Sequence, residues 1–189
     1  MKNSLILNIC ILSAFLFPKT SYADEFVIIK DGIPACSIVI PAKTEFDYYA
    51  ELKKKEAESH IKQYNPQITA DNLAKIMDQQ IKAIEADMKR VGDEEKLAVE
   101  ELNTYLKKIS GTNLAVITND ETVLPSQSSI IIGSSLAKAA GFEKEILSLH
   151  TDGFICKIKG NHLVLAGRRA RGTLYAVYHF LESLGVRWI

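Results

Sequence analysis

The spacing of apolar and polar residues changes along the chain, and each period predicts a different element. Residues 25–30 and 34–41 are β-branched runs joined by Asp31-Gly32, so we predict a β-hairpin there. Further strand-like runs cover 114–118, 129–133, 154–158, 162–166 and 186–189. The turn Gly160-Asn161 predicts that the runs 154–158 and 162–166 form a second hairpin.

Helical spacing dominates residues 44–91, where charge is dense and glycine absent before Gly92. Asn65-Pro66 interrupts the pattern, so the segment predicts an inserted helical hairpin. We favour a hairpin whose apolar stripe packs on the domain or on itself, because heptads are not sustained. A coiled coil that binds a partner is the alternative.

Three more helices are predicted: residues 93–109, a short one over 136–140 and the last from Arg171 to Leu184. The predicted core face of the first consists of Leu97, Glu101, Leu102, Tyr105, Leu106 and Ile109. Hairpins mixed with crossover helices predict an α+β fold, a mixed β-sheet with helices packed on it plus the helical hairpin.

The first residues have the pattern of a secretory signal peptide. A lysine at position 2 precedes an apolar run over 5–17, and Ala23 is a small residue before acidic Asp24. The run is too short for a spanning helix, so we expect cleavage after residue 23 and no transmembrane segment afterwards. We therefore expect a secreted or periplasmic protein with one domain at 24–189.

The charge balance and the spacing of the cysteines argue against a nucleic-acid-binding protein and against a metal site. With 23 basic and 23 acidic side chains, the chain offers no electrostatic case for nucleic acid. Cys36 and Cys156 are not in a Cys-x-x-Cys motif, so no metal site is predicted. We favour two free thiols over a disulfide between Cys36 and Cys156, and the disulfide stays an open alternative. No nucleotide-binding motif occurs, so no cofactor is predicted. We interpret Gly133-Ser134-Ser135 as small residues in a tight strand-to-helix turn, and anion binding at Ser134 and Ser135 is the less favoured alternative.

No catalytic residue can be assigned from the sequence. The acidic residues on helices are assigned to exposed faces: Glu94, Glu95, Glu100, Glu101, Glu143 and Glu145. We interpret Asp152 as a turn residue before Gly153 and Glu182 as a residue on the solvated face of the last helix, rather than as catalytic acids. The histidines are scattered over positions 60, 150, 162 and 179, and no Gly-x-Ser-x-Gly elbow occurs.

The local basic cluster comprises Arg168, Arg169 and Arg171, just where the last helix begins. Arginine is unfavourable at a helix N-terminus, so the cluster requires acidic partners. The acidic partner would be either an anionic ligand, such as a uronic acid, or acidic residues of a neighbouring domain. We favour ion pairs with acidic side chains over ligand binding, although the planar guanidinium of arginine suits both.

A family resemblance covers most of the chain after residue 23. It is most specific in the C-terminal third, on the stretches Gly160-Asn-His-Leu-Val-Leu-Ala-Gly167 and Arg171-Gly-Thr-Leu-Tyr-Ala-Val-Tyr-His-Phe-Leu-Glu. With the Val186-Arg187-Trp188 segment, this part of the chain resembles the α-glucuronidase N-terminal domain and the related non-catalytic domain of β-N-acetylhexosaminidases. The resemblance implies a role in polysaccharide degradation, with the catalytic acid and its partner on a barrel that follows. The helical hairpin is longer than the link usual in the family.

The resemblance implies a non-catalytic N-terminal domain of a secreted glycoside hydrolase, which supports a catalytic barrel absent from this chain. Whether the chain is itself an enzyme stays open. The residues expected at a ligand, such as an oligosaccharide, or at the interdomain contact are Arg168, Arg169, Arg171, Tyr175, Tyr178, Arg187 and Trp188. The alternatives are a stand-alone secreted sugar-binding or envelope interaction module and a truncated gene product.

Overall fold

The computed structural model describes residues 5–7, 26–91, 93–120 and 123–188. Apart from residues 5–7, the predicted signal peptide lies outside the described residues, so its cleavage stays a prediction.

The strands form two sheets. A small antiparallel sheet has the order β1-β2-β3, with β1 at Leu5–Leu7, β2 at Phe26–Lys30 and β3 at Ile33–Pro34. The main sheet has the order β5-β4-β6-β8-β7; these are β4 Ser37–Pro41, β5 Val116–Asn119, β6 Ser129–Ile132, β7 Phe154–Lys159 and β8 His162–Gly167. In this sheet β5, β4, β6 and β8 are parallel, and β7 is antiparallel to β8.

Helices connect and cover these strands. They are α1 Glu45–Tyr64, α2 Ala70–Val91, α3 Glu94–Ser110, α4 Ser134–Ala137, α5 Glu143–Ser148 and α6 Ala170–Ser183, with a π-helical turn at Lys138–Phe142. This arrangement confirms the predicted α+β fold with its helical hairpin. None of the described helices is long and apolar enough to cross a membrane.

The main sheet separates two apolar clusters. Alternate residues of β4, such as Ile38 and Ile40, face α3 and α6, whereas Val39 faces α4 and α5. The residues of β6 divide in the same way, and all four are buried. Strands buried on both faces read as continuous apolar runs, which is why 129–132 lacks a polar alternation.

The predicted first hairpin is only partly right. β2 pairs with β3, but β4 leaves this small sheet and pairs in parallel with β5 and β6. The run Ser37–Pro41 is buried along most of its length, so it suits the centre of a parallel sheet better than one arm of an exposed hairpin.

The predicted strand after the last helix is wrong for the described residues 186–188, which are irregular. Gly185 has a φ of 97°, its N–H donates to Glu182 O, and Val186 N donates to Leu181 O. These are the bonds of a Schellman motif, which turns the chain back onto the end of the helix. The chain therefore wraps the helix end instead of joining a sheet.

The helical hairpin, α1 with α2, contacts little besides itself. The two helices pack on each other, and no residue of α1 is buried. Helices of 20 and 22 residues are about 30 Å long, so the pair forms a long arm attached at its base. The side chain of Tyr64, at the far end of α1, is 74% exposed.

One close approach holds β8 against the start of α6. A Cβ on Gly167 would lie 2.3 Å from the carbonyl carbon of Gly172 and 2.4 Å from the N of Thr173. The N–H of Gly167 also donates to Thr173 Oγ1 at 3.0 Å. Glycine is required at position 167 because backbone atoms, which cannot rotate away, occupy the space of a side chain.

We predict that Gly167→Ala lowers the free energy of unfolding by about 1–3 kcal/mol, the usual cost of overpacking a core. Urea denaturation followed by circular dichroism measures the change. Gly160→Asn is the matched control: no atom lies within 4 Å of its Cβ position, and its φ of 57° suits asparagine. Equal losses in both variants would contradict the steric explanation.

Candidate functional site

The carboxyl ends of β4, β6 and β8 lie side by side at one edge of the main sheet, which we call the carboxyl edge. The chain leaves β4 for β5 on one side and leaves β6 for β7 and then β8 on the other, so the connections diverge between β4 and β6. Open α/β sheets form a crevice at such a switch point. Here the crevice is a cavity of about 280 Å³, lined by Lys43, Glu45, Tyr48, Glu95, Ser134, Ser135, Lys138, Arg168 and Arg169.

Glu95 is the most buried charged residue of this cavity, with 2% of its surface exposed. Its carboxylate accepts a hydrogen bond from the backbone N of Glu45 at 2.8 Å and another from the backbone of Ser134. Burial raises its pKa to about 7, and the negative charges of Asp93 and Glu45 act in the same direction. One carboxylate therefore binds the first residues of both α1 and α4.

The carboxylate of Glu45 binds the first residues of α6. Its Oε2 accepts a hydrogen bond from the backbone N–H of Ala170, with an N–O distance of 2.6 Å. Its Oε1 accepts one from Arg169 Nη1, at 2.7 Å. Arg169 is the N-cap of α6 and offers no capping side chain of its own. A carboxylate from α1 thus satisfies a free N–H of α6 and neutralises the adjacent arginine.

Thr44 and Asp93 join the two ends of the helical arm. Thr44 and Asp47 form a capping box on α1, and Asp93 caps α3 by accepting Lys96 N at 3.1 Å. Thr44 Oγ1 also lies 2.9 Å from Asp93 Oδ2. Side chains from other helices therefore satisfy the starts of α1 and α6, whereas α3 is capped by Asp93, which also bonds to Thr44.

Each of the predicted arginines at the start of α6 has an acceptor within this domain. Arg169 binds Glu45, and Arg171 donates to both carboxylate oxygens of Asp152 at 2.7–2.9 Å. Arg168 Nη1 donates to the backbone oxygen of Leu147. Asp152, a turn residue in the sequence, is thus also an ion-pair partner.

The predicted aromatic residues lie toward the other end of α6. The ring of Trp188 packs edge-on against Tyr178 at 4.7 Å and against Tyr105 at 5.0 Å, measured between ring centroids, and 41% of its surface is exposed. Burial raises the pKa of Tyr178. Arg187 donates to Glu182 O at the helix end, and Tyr175 lies exposed between the two groups.

The predicted site residues therefore do not form one site. Arg168 and Arg169 line the cavity, whereas Tyr178 and Trp188 belong to a separate cluster at the opposite end of a 14-residue helix. A helix of that length spans about 21 Å.

The remaining candidates have structural partners. His162 is buried and its Nδ1 lies 2.7 Å from Ser129 Oγ; burial lowers its pKa. The thiols of Cys36 and Cys156 are not bonded to each other, and burial raises their pKa values to about 12 and about 11, which makes thiolate chemistry unfavourable. The described residues contain no group of three metal-binding side chains.

The predicted position of Glu95 on an exposed helix face is wrong, because its side chain is buried. The buried face of α3 comprises Glu95, Ala98, Val99, Leu102 and Leu106, whereas Leu97 and Ile109 are exposed. Ala98, Val99 and Leu102 follow Glu95 at intervals of three, four and seven, so the helical period contained the signal. The type of residue pointed the other way, because glutamate is rarely fully buried.

Fold and sequence together define an α+β domain of a glycoside hydrolase. The chain belongs to the family described as Glycosyl hydrolase family 67 N-terminus, whose model matches residues 63–180. This confirms the predicted resemblance to an α-glucuronidase N-terminal domain. The match begins near the end of α1, so it includes α2 but little of α1.

The chain is also similar to a protein of Aspergillus terreus (strain NIH 2624 / FGSC A1156) described as "Probable alpha-glucuronidase A". The identity is 28% over 87 residues, which is 46% of this chain and 10% of the relative. The chain thus matches about a tenth of that relative's length. No solved structure matches the chain.

We predict that Glu45→Ala lowers the free energy of unfolding by about 1–2 kcal/mol, because the start of α6 loses its cap and Arg169 its partner. Glu45→Gln should retain part of this stability, since an amide oxygen still accepts the N–H of Ala170. Glu51→Ala is the control, because its ion pair with Lys43 is exposed, and we expect no measurable change. Equal effects at positions 45 and 51 would contradict the capping role.

Glu95 should make stability depend on pH. Its pKa is about 7 in the folded chain against an ordinary 4.5, so the folded state retains a proton that the unfolded chain has lost. Its stabilising contribution is complete below pH 4.5 and declines by about 3 kcal/mol as the pH rises to about 7. Urea denaturation from pH 4.5 to 8 should show this decline in the native chain and not in Glu95→Gln. Parallel profiles would refute the buried-acid assignment.

Proposed function

We propose that this chain is the non-catalytic N-terminal domain of a secreted carbohydrate-active enzyme of the α-glucuronidase type, and that it supports a catalytic barrel. The family match carries the proposal, since it covers residues 63–180 of the domain. The small share of the similar fungal protein that the chain covers also supports a larger enzyme.

The use of the acidic residues supports a non-catalytic role. A glycosidase requires one carboxyl group to donate a proton and a second to act as nucleophile or base. At the carboxyl edge, Glu45, Glu95 and Asp93 instead accept hydrogen bonds from the starts of helices. In this proposal the chemistry belongs to the barrel.

The aromatic cluster of Tyr105, Tyr178 and Trp188 is the surface that we propose for contact with the barrel. Trp188 is only partly covered within the domain, and exposed aromatic rings are frequent anchors of interfaces. Tyr175 and Arg187 extend this surface. In the alternative, a stand-alone sugar-binding or envelope interaction module, the same rings would contact an oligosaccharide.

Mass spectrometry of the native protein from culture medium and periplasm tests this proposal. We expect a mature N-terminus at Asp24 and an intact mass far above the 21.0 kDa of this chain, because a barrel needs roughly 250 further residues. We also expect the intact protein to release glucuronic acid from substituted oligosaccharides. A mass below 21.0 kDa that matches this chain after removal of residues 1–23 would refute the enzyme proposal and favour the stand-alone module.

A further inference from the structure

The cavity at the carboxyl edge is lined by more cations than carboxylates. Four basic side chains converge on it: Lys43 after β4, Lys138 at the π-helical turn, and Arg168 and Arg169 after β8. They come from three separate segments, which the parallel strands bring together. Two carboxylates, Glu45 and Glu95, face these four basic groups.

Glu45 and Glu95 already have partners, and Lys43 pairs with Glu51, which does not line the cavity. In the described part of the chain, the positive charge left without a carboxylate partner is therefore that of Lys138 and Arg168. Glu45 pairs with Arg169, and Glu95 accepts backbone hydrogen bonds while its burial favours the protonated form. Among the described residues, no carboxylate lies within ion-pair distance of Lys138 or Arg168. The cavity wall therefore retains a net positive charge.

The starts of α1 and α6 are occupied by Glu95 and Glu45, so they offer little to a further anion. A ligand would instead contact the basic side chains and the half-buried Ser134 and Ser135. The ring of Tyr48, which is 45% exposed, adds an amphipathic wall. A volume of about 280 Å³ suits a molecule of sugar size rather than a chain.

We propose that this cavity binds a small anion, a carboxylate or a phosphate on a molecule of sugar size, through Lys43, Lys138, Arg168 and Arg169. Its position at the switch point of the sheet, where crevices outside the carboxyl ends of strands bind ligands, supports the assignment. The site lies at the opposite end of α6 from the aromatic cluster. It does not depend on the proposed catalytic barrel.

Binding at this site should be linked to protonation of Glu95. Removing its negative charge from the wall favours an anion, so affinity should rise as the pH falls through about 7. The charged groups around Glu95 are Glu45 from α1, Asp93 just before α3, Lys43 after β4, Lys138 and the two arginines after β8. No histidine lines the cavity among the residues that the structure describes.

Isothermal titration of the full-length protein with D-gluconate and with glucose 6-phosphate tests the site, with D-glucose as the neutral probe. We expect saturable binding of at least one anion and none of glucose. The anion that binds distinguishes a carboxylate site from a phosphate site. Saturable binding of neither would overturn the proposal.

The variant Lys138→Gln/Arg168→Gln should weaken binding at least tenfold, because it removes the two cations that have no carboxylate partner and leaves the helix caps intact. Lys107→Gln is the control: it also removes a lysine of this domain, but near the far end of α3, about 18 Å along the helix from Glu95. Its affinity should be unchanged. Binding that survives the double variant, or that Lys107→Gln weakens equally, would contradict the site.

Glu95→Gln separates a specific cavity from general attraction to a basic surface. For D-gluconate, if it is the anion that binds, the rise in affinity between pH 8 and pH 6 should disappear in this variant. Circular dichroism confirms that the variant is folded. An unchanged pH dependence would exclude Glu95 from the wall of the binding site and overturn its placement.

Discussion

The structure depends on how the free N–H groups at the starts of its helices are satisfied. A parallel sheet sends every following helix away from the same edge, so unpaired donors accumulate there. Glu95 and Glu45 accept these donors across element boundaries: a residue of α3 binds α1 and α4, and a residue of α1 binds α6. The positions of the layers relative to one another follow from this exchange as well as from the apolar core.

The exchange also explains a buried acid in a domain without an assigned catalytic residue. An unpaired buried carboxylate would be costly, but one that accepts backbone N–H groups is compensated. Its remaining cost appears as a raised pKa. A perturbed acid in a cleft is often a sign of catalysis, yet here it is chiefly burial that raises the pKa of Glu95, and the backbone N–H groups that it binds explain why it is buried.

Local patterns predicted most of the elements, because turns and helix caps are encoded by neighbouring residues. The hairpin at Gly160-Asn161, the buried strand at 129–132 and the last helix all follow from such signals. The partner of β4 and the burial of Glu95 could not be predicted in this way. Both depend on contacts between residues far apart in sequence, and the same holds for the separation of Arg169 from Trp188.

The bond between Thr44 and Asp93 has a consequence for how such a domain can change over evolution. These residues are 49 positions apart, yet their side chains meet, so the whole arm is a loop closed at its neck. The entropic cost of closing a loop rises only slowly with its length. Insertions and deletions within the arm leave the neck and the sheet unaltered, so its length is free to diverge among relatives while the rest of the domain is conserved in shape.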